Sequence, residues 1–322
     1  MKMKKIAAII FSAAMVLNMG AAAMAVDTES VNISKSYIAV NPGTTKPEET
    51  FNFTVTAESV TESDATTAPE ISNFSIAFTG DDATATSKSN TLQLPTFDRV
   101  GIYTYTISEI AGTKAGVSYS KAPITMKVTV TQGTAGLERT VAFRNAEGEK
   151  LSEGAVFTNT YSAGNISVSK KVTGNLGDTS KYFDVKVTVT NPTDKDTPAT
   201  YTVSGGSYSE NPTTITAGTT TTFKLKAEDT ITIANVPYGV TYTVVEEDYS
   251  AEKYTASYSG NDGNNGTGTV SEASEKVEIT NKKEADVDTG INLDSMPYIM
   301  ILALVAVCAV VMFARKRFSA NR

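Results

Sequence analysis

The 322-residue chain carries 28 Lys and Arg against 35 Asp and Glu, for a formal net charge of −7, with no histidine, no tryptophan and one cysteine. That cysteine, Cys308, lies in an apolar stretch near the C-terminus, so everything before it lacks both thiols and imidazoles. Thiol proteases, Ser–His–Asp hydrolases and ordinary zinc sites are thereby excluded, and the acidic excess argues against nucleic acid as a partner, because neutralising phosphates takes a basic surface.

In chain order, the opening segment MKMKKIAAIIFSAAMVLNMGAAAMA has Lys2, Lys4 and Lys5 ahead of an apolar run from Ile6 to Leu17. It closes on Ala23-Met24-Ala25. A basic start, a short apolar stretch and an A-x-A site describe a secretory signal peptide over residues 1–25, cut between Ala25 and Val26. The exported part then has no disulfide with which to survive outside the cell.

From residue 27 to 285 the sequence is rich in Thr, Val, Ser and Tyr and alternates with a period of two. FNFTVTAES (51–59), IYTYTISEI (102–110), PITMKVTVTQ (123–132), YFDVKVTVTN (182–191), TTFKLKAED (221–229), DTITIANV (229–236) and VTYTVVEED (240–248) read as strands. Turn material separates them, as in NPGTTKPEE (41–49) and SGNDGNNGTG (259–268). Many short strands over this length predict an all-β chain of two tandem β-sandwich domains, residues 26–161 and 165–283, with Ser162-Ala163-Gly164 as a short hinge. After them, the uncharged stretch Tyr298 to Ala314 meets the lower length limit for a transmembrane helix. Arg315, Lys316 and Arg317 open a basic tail over residues 315–322, a positive-inside stop.

The two predicted domains repeat one another in order. VNISK (31–35) returns as ISVSK (166–170), and Phe51-Asn-Phe-Thr-Val as Phe183-Asp-Val-Lys-Val. Tyr105-Thr-Ile-Ser-Glu109 returns as Tyr242-Thr-Val-Val-Glu246, and Phe157-Thr-Asn159 as Ile279-Thr-Asn281. Strand parity then singles out six polar residues, because alternate side chains share a face. Lys35 continues the face of Val31 and Ile33, Glu109 that of Tyr103, Tyr105 and Ile107, and Asn159 that of Phe157. In the second repeat Lys170 follows Ile166 and Val168, Glu246 follows Tyr242 and Val244, and Asn281 follows Ile279. Lys171, one residue on, faces the other way and is expected to remain a free lysine.

Two readings fit such a triplet. In one, Lys and Glu emerge at the rim of the sandwich as a strand-end salt bridge of little energetic weight, and the Asn has no role. In the other, burial makes a neutral amine and a protonated acid accessible. The amine is then a nucleophile for the Asn carboxamide, and the Glu polarises the amide and relays protons to departing ammonia. The product is a Lys–Asn isopeptide bond that staples the first strand of a domain to its last.

This arrangement resembles the streptococcal-type backbone (major) pilins, through VNISK, GIYTYTISE and FTN in the first domain and ISVSKKVTG, GVTYTVVEEDY, EKYT and ITNKK in the second. The resemblance implies immunoglobulin-like sandwiches, isopeptide bonds Lys35–Asn159 and Lys170–Asn281, and catalytic glutamates Glu109 and Glu246. It also implies a sortase sorting signal at Asp286-Val287-Asp288-Thr289-Gly290, residues 286–290, cleaved between Thr289 and Gly290. The pentapeptide departs from the common LPxTG form at Asp286 and Val287, which suits a dedicated pilin sortase. The family's acceptor lysine falls on Lys150, in NAEGEKLSEGAVFTN. The partners implied are a pilin-type sortase, identical subunits head to tail, and peptidoglycan or a basal pilin at the cell wall, with room for a host surface ligand. A singly anchored adhesin or minor pilin is the alternative. No phosphate loop, paired-carboxylate cleft or metal-ligand cluster stands out in the sequence. No cofactor or metal is expected, and no enzymatic activity beyond the intramolecular cross-linking.

Overall fold

The computed structural model describes residues 27–82, 85–263, 265–285 and 296–319. The first sandwich is built from β1 (Ser30–Ala39), β2 (Glu49–Thr61), β3 (Phe74–Phe78), β4 (Ser87–Gln93), β5 (Gly101–Ile110), β6 (Val117–Ser118), β7 (Ile124–Gln132), β8 (Leu137–Arg144) and β9 (Ala155–Tyr161). One of its sheets runs β4-β1-β9-β6 and the other β3-β2-β5-β7-β8. The alternation read from the sequence is what closes it. β5 buries Tyr103, Tyr105 and Ile107, β7 buries Ile124, Met126 and Val128, and β9 buries Ala155, Phe157 and Tyr161. These residues meet Ile33, Tyr37, Phe51 and Phe53 from β1 and β2 in one core.

The second sandwich comprises β10 (Ala163–Thr173), β11 (Phe183–Thr190), β12 (Thr200–Gly205), β13 (Thr214–Thr216), β14 (Thr220–Leu225), β15 (Thr230–Pro237), β16 (Thr241–Glu246), β17 (Thr255–Gly260), β18 (Thr267–Thr269) and β19 (Ser274–Lys282). Its sheets run β13-β12-β15-β10-β19-β17 and β14-β11-β16-β18. Val185, Val187 and Val189 of β11 face Ile166, Val168, Ile231 and Ile233 across the core.

In each sandwich the first strand lies parallel to the last. β1 pairs β9 with Lys35 opposite Phe157, and β10 pairs β19 with Lys170 opposite Ile279. Antiparallel neighbours complete both sheets, so this one parallel ladder brings the two ends of each domain side by side.

The hinge expected at Ser162-Ala163-Gly164 is instead mostly strand. β9 ends at Tyr161 and β10 begins at Ala163, with Ala163 and Gly164 both buried. A Cβ at Gly164 would meet the Glu272 carbonyl oxygen at 2.1 Å, which explains a glycine in a strand here. The loop after β1 also reaches across the junction. Asn41 Nδ2 donates to the Ala163 carbonyl and to the Tyr238 hydroxyl, each at 2.7 Å. Thr45 and Asn235 exchange two hydrogen bonds of 3.0 Å. Lys114 and Asp196 join the other side through a 2.6 Å ion pair and a backbone bridge. Small residues read as a short hinge in the sequence, but the backbone around them is tied on both sides.

The C-terminal helix α1 (Met296–Ser319) contains a span, Pro297–Lys316, long and apolar enough to cross a membrane. Its described apolar side chains are exposed rather than packed on either sandwich. The signal peptide, with Ala25 and Val26, and the pentapeptide 286–290 lie outside the described residues.

Phe157 sits directly beside Lys35 in the parallel ladder, with its ring 5.0 Å from that of Phe53. Phe157→Ala is expected to destabilise the first sandwich by about 3–5 kcal/mol, as for other buried aromatics. Urea unfolding of the full ectodomain, followed by tyrosine fluorescence, should show one of its transitions moved to lower denaturant; unchanged transitions would refute the packing role.

Candidate cross-linking site

The parallel register sets the geometry. Asn159 lies two residues beyond Phe157, the partner of Lys35, and therefore on the same inward face of the adjacent strand. The same offset recurs in the second domain, where Lys170 pairs with Ile279 and Asn281 lies two residues on. Each glutamate comes from the opposite sheet. Glu109 sits on β5 opposite Phe53, and Glu246 on β16 opposite Val185. The two sheets thus close on a lysine and an asparagine from one side and a carboxyl group from the other.

In the first domain the three side chains are in direct contact. Lys35 Nζ donates to Glu109 Oε2 at 2.8 Å, and Asn159 Nδ2 donates to Glu109 Oε1. The Asn159 Oδ1 accepts the backbone N–H of Ser120 at 2.7 Å. Neither the Lys35 nor the Glu109 side chain has any exposed surface, and Asn159 is also fully buried. A solvated rim salt bridge does not have this geometry. The Phe51 ring lies 4.5 Å from Lys35 Nζ and walls it from water. Burial pulls the Lys35 ammonium down to about 8, against the opposing pull of Glu109, so a neutral amine is within reach at ordinary pH.

The second site is assembled from the same parts, less tightly. Lys170 Nζ lies 3.3 Å from Glu246 Oε1, with both side chains essentially unexposed, and 4.5 Å from the Phe183 ring. Lys170 also donates to the carbonyls of Lys171 and Ile279, at 3.2 and 3.4 Å. Neither Glu246 oxygen nor either polar atom of the Asn281 amide makes a hydrogen bond of good geometry. Burial lowers the Lys170 amine and raises the Glu246 carboxyl, the latter opposed by nearby Lys170 and Asn281. Both shifts favour an uncharged amine beside an uncharged acid. Lys171 is exposed on the other face.

Four neighbours were not singled out by the sequence pattern. Phe51 and Phe183 could have been, since they head the matching FNFTV and FDVKV repeats. Ser120 contributes only a backbone group and leaves no signature. Lys46 is buried as well, its Nζ donating to the carbonyls of Tyr37 and Ala85, but it reaches neither site carboxylate. Lys150 is far more open. It is exposed in the loop between β8 and β9, where it forms an isolated bridge with Arg144.

Comparisons with known proteins find a match for each half of the chain. A family model described as a Spy0128-like isopeptide containing domain (FctA) matches residues 31–162. A second, described as a domain of unknown function (DUF7601), matches residues 164–283. A curated pilin from Streptococcus pyogenes serotype M1 is 30% identical over 239 residues, 69% of this chain and 69% of that relative. The chain belongs to the pilin family. Solved pilins share its fold. The crystal structure of the major pilin from Streptococcus pyogenes superposes with a TM-score of 0.59 at 24% identity, covering 81% of this pilin and all of the other chain. The T3.2 major pilin of the same species gives 0.55 at 21% identity, covering 80% and 98%.

The buried amine of this pilin makes a signed prediction. In an Asn159→Ala chain Lys35 keeps its amine, with a folded value near 8 against 10.5 when unfolded. Between those values the unfolded chain binds the extra proton, so stability rises as pH rises from about 8 towards 10.5. Buried Tyr37, Tyr105 and Tyr161, whose hydroxyls are pushed well above 10, contribute the opposite slope at the top of that range. Urea midpoints should therefore be compared with those of a Lys35→Met, Asn159→Ala chain, in which the tyrosines cancel. A pH-independent difference between the two would refute the depressed lysine.

Proposed function

We propose that the chain is the repeating subunit of a covalent cell-surface pilus, with each sandwich stapled by an autocatalytic Lys–Asn isopeptide bond. The observation that carries the stapling is the completely buried contact of Lys35, Glu109 and Asn159. The neutral Lys35 Nζ adds its lone pair to Asn159 Cγ. Glu109, as the carboxylate, takes one Nζ proton and hands the same proton on to Nδ2. The Cγ–Nδ2 bond breaks and ammonia leaves, so the new Nζ–Cγ amide replaces one amine and one primary amide with no outside reagent. Lys170, Glu246 and Asn281 take the same roles in the second domain. Each bond closes a loop on the order of 100 residues, worth about 4–5 kcal/mol of denatured-state entropy by analogy with a disulfide.

Polymerisation follows from the tail. The chain is held at the membrane by α1 while a pilin-type sortase cleaves between Thr289 and Gly290, retaining the Thr289 carbonyl as a thioester. The Lys150 amine of another copy attacks that carbonyl, which makes a head-to-tail fibre ending on peptidoglycan or a basal pilin. Family membership supports the pilus role, the apolar helix supports membrane retention, and the exposure of Lys150 suits an acceptor.

Two measurements test the proposal separately. The intact mass of residues 26–289 is expected to fall short of the sequence mass by two ammonia molecules, and Glu109→Ala and Glu246→Ala should each restore one. A full sequence mass in the unaltered protein would end the stapling reading. For polymerisation, immunoblots of cell-wall extracts are expected to show a ladder of high-mass species that Lys150→Ala abolishes. A single band in the unaltered strain would instead mark a singly anchored adhesin or minor pilin, and a ladder surviving the substitution would remove Lys150 as acceptor.

A further inference from the structure

The Asn159 carboxamide is held at both ends. Its Nδ2 donates to Glu109 and its Oδ1 accepts from the Ser120 N–H at 2.7 Å. A carboxylate can only accept and a backbone N–H can only donate, so the two bonds fix the same orientation of the amide. The carbonyl oxygen therefore points at a preorganised donor inside a site without water-exposed side chains.

The fold explains why that N–H is available. β6 pairs with β9 for only two residues, Val117 with Tyr161 and Ser118 with Thr160. The chain then breaks from the ladder and crosses to β7 in the other sheet, which releases the Ser120 N–H from backbone pairing and aims it at Asn159. Tyr119 anchors the crossing, its hydroxyl accepting the Lys114 N–H at 3.1 Å and its ring lying against Phe51. The second domain differs at this place. There β17 pairs with β19 along its whole length, Ala256 standing opposite Asn281, and the Asn281 Oδ1 is buried without a hydrogen bond.

We propose that the Ser120 N–H is the oxyanion donor for the first cross-link and that the second domain has no counterpart. This rests on the reading that Lys35 attacks Asn159. As Nζ adds to Cγ, the carbonyl π pair moves onto Oδ1, where the Ser120 bond strengthens as charge develops. The pair returns when Cγ–Nδ2 breaks and ammonia departs with the proton relayed by Glu109. A donor already in place costs no reorganisation, and losing one such donor elsewhere slows acyl transfer by about 100- to 1,000-fold. The first domain consequently closes its bond faster than the second.

The test follows both bonds in one molecule. Residues 26–289 are produced by cell-free translation, quenched in denaturant at intervals, digested, and assayed by mass spectrometry for the Lys35–Asn159 and Lys170–Asn281 cross-linked peptides. In the unmodified chain the first peptide is expected to appear before the second; the reverse order overturns the proposal without any substitution. Replacing residue 120 by its α-hydroxy-acid analogue exchanges the N–H for an ester oxygen. This is expected to slow the first bond about 100-fold per folded first domain, scored by pulse proteolysis, and to leave the second unchanged. Ser120→Ala, which keeps the N–H, should stay within threefold of the unaltered rate. An ester chain within threefold of that rate, or an alanine chain as slow as the ester, would overturn the assignment to Ser120. Complete absence of the Lys35–Asn159 peptide from the unmodified chain would instead overturn the cross-linking reading beneath it.

Discussion

A lysine with no exposed surface is the constraint on which each sandwich turns. Withdrawing an ammonium from water is costly, and a single carboxylate repays that cost only when the geometry is good and the remaining donors are satisfied. In the first domain Lys35 faces Glu109 at 2.8 Å and an aromatic ring at 4.5 Å, with its pKa already pulled down by burial. Such a pair is poor ballast for a core. Replacing it by packed apolar groups is often neutral or stabilising in other proteins. Its persistence, twice in one chain and each time beside a buried asparagine, is understandable if the charged pair is a precursor that the folded state consumes.

The rest of the architecture serves that contact. One parallel ladder in an otherwise antiparallel sheet puts the first and last strands side by side, and the two-residue offset puts the amide on the same face as the amine. The opposite sheet supplies the acid, so the triad assembles only when both sheets have closed over the core. The proposed chemistry would thereby be coupled to correct folding: a slipped register on either strand would send the lysine or the asparagine to the solvent face. The two sites nonetheless differ in finish. Both polar atoms of the Asn159 amide have a hydrogen-bond partner, whereas neither of the Asn281 amide has one and Glu246 has only its 3.3 Å ion pair with Lys170, which is expensive in a dry interior.

Much of this was legible in the chain because strands write their faces into sequence with a period of two. Val31, Ile33 and Lys35 declare a buried face whatever they pair with, and the repeat in Ile166, Val168 and Lys170 turns one oddity into a pattern. The all-β class and the helix after the second sandwich follow from the same kind of local evidence. What parity cannot carry is information about groups that have no side-chain identity. The Ser120 N–H would look the same in any residue except proline, and it matters only because β6 stops after Ser118. Ser162-Ala163-Gly164 misled for a related reason. Small residues suit a flexible linker, but they also suit backbones that pass too close for a Cβ, as Gly164 does beside Glu272. Lys46 reads as a loop lysine, and only the tertiary course of the chain reveals the two carbonyls that bury it.

The parallel pairing of β10 with β19 has one more consequence, which concerns direction. The ladder runs from Asn165 opposite Ser274 to Thr173 opposite Lys282, both strands pointing the same way. Tension applied between the start of β10 and the end of β19 therefore pulls the strands along their own axes in opposite senses. Every rung of the ladder is then strained together, as in shear, instead of one after another as in unzipping. The fold alone thus offers its stiff axis to a longitudinal pull, before any covalent rung is added to it.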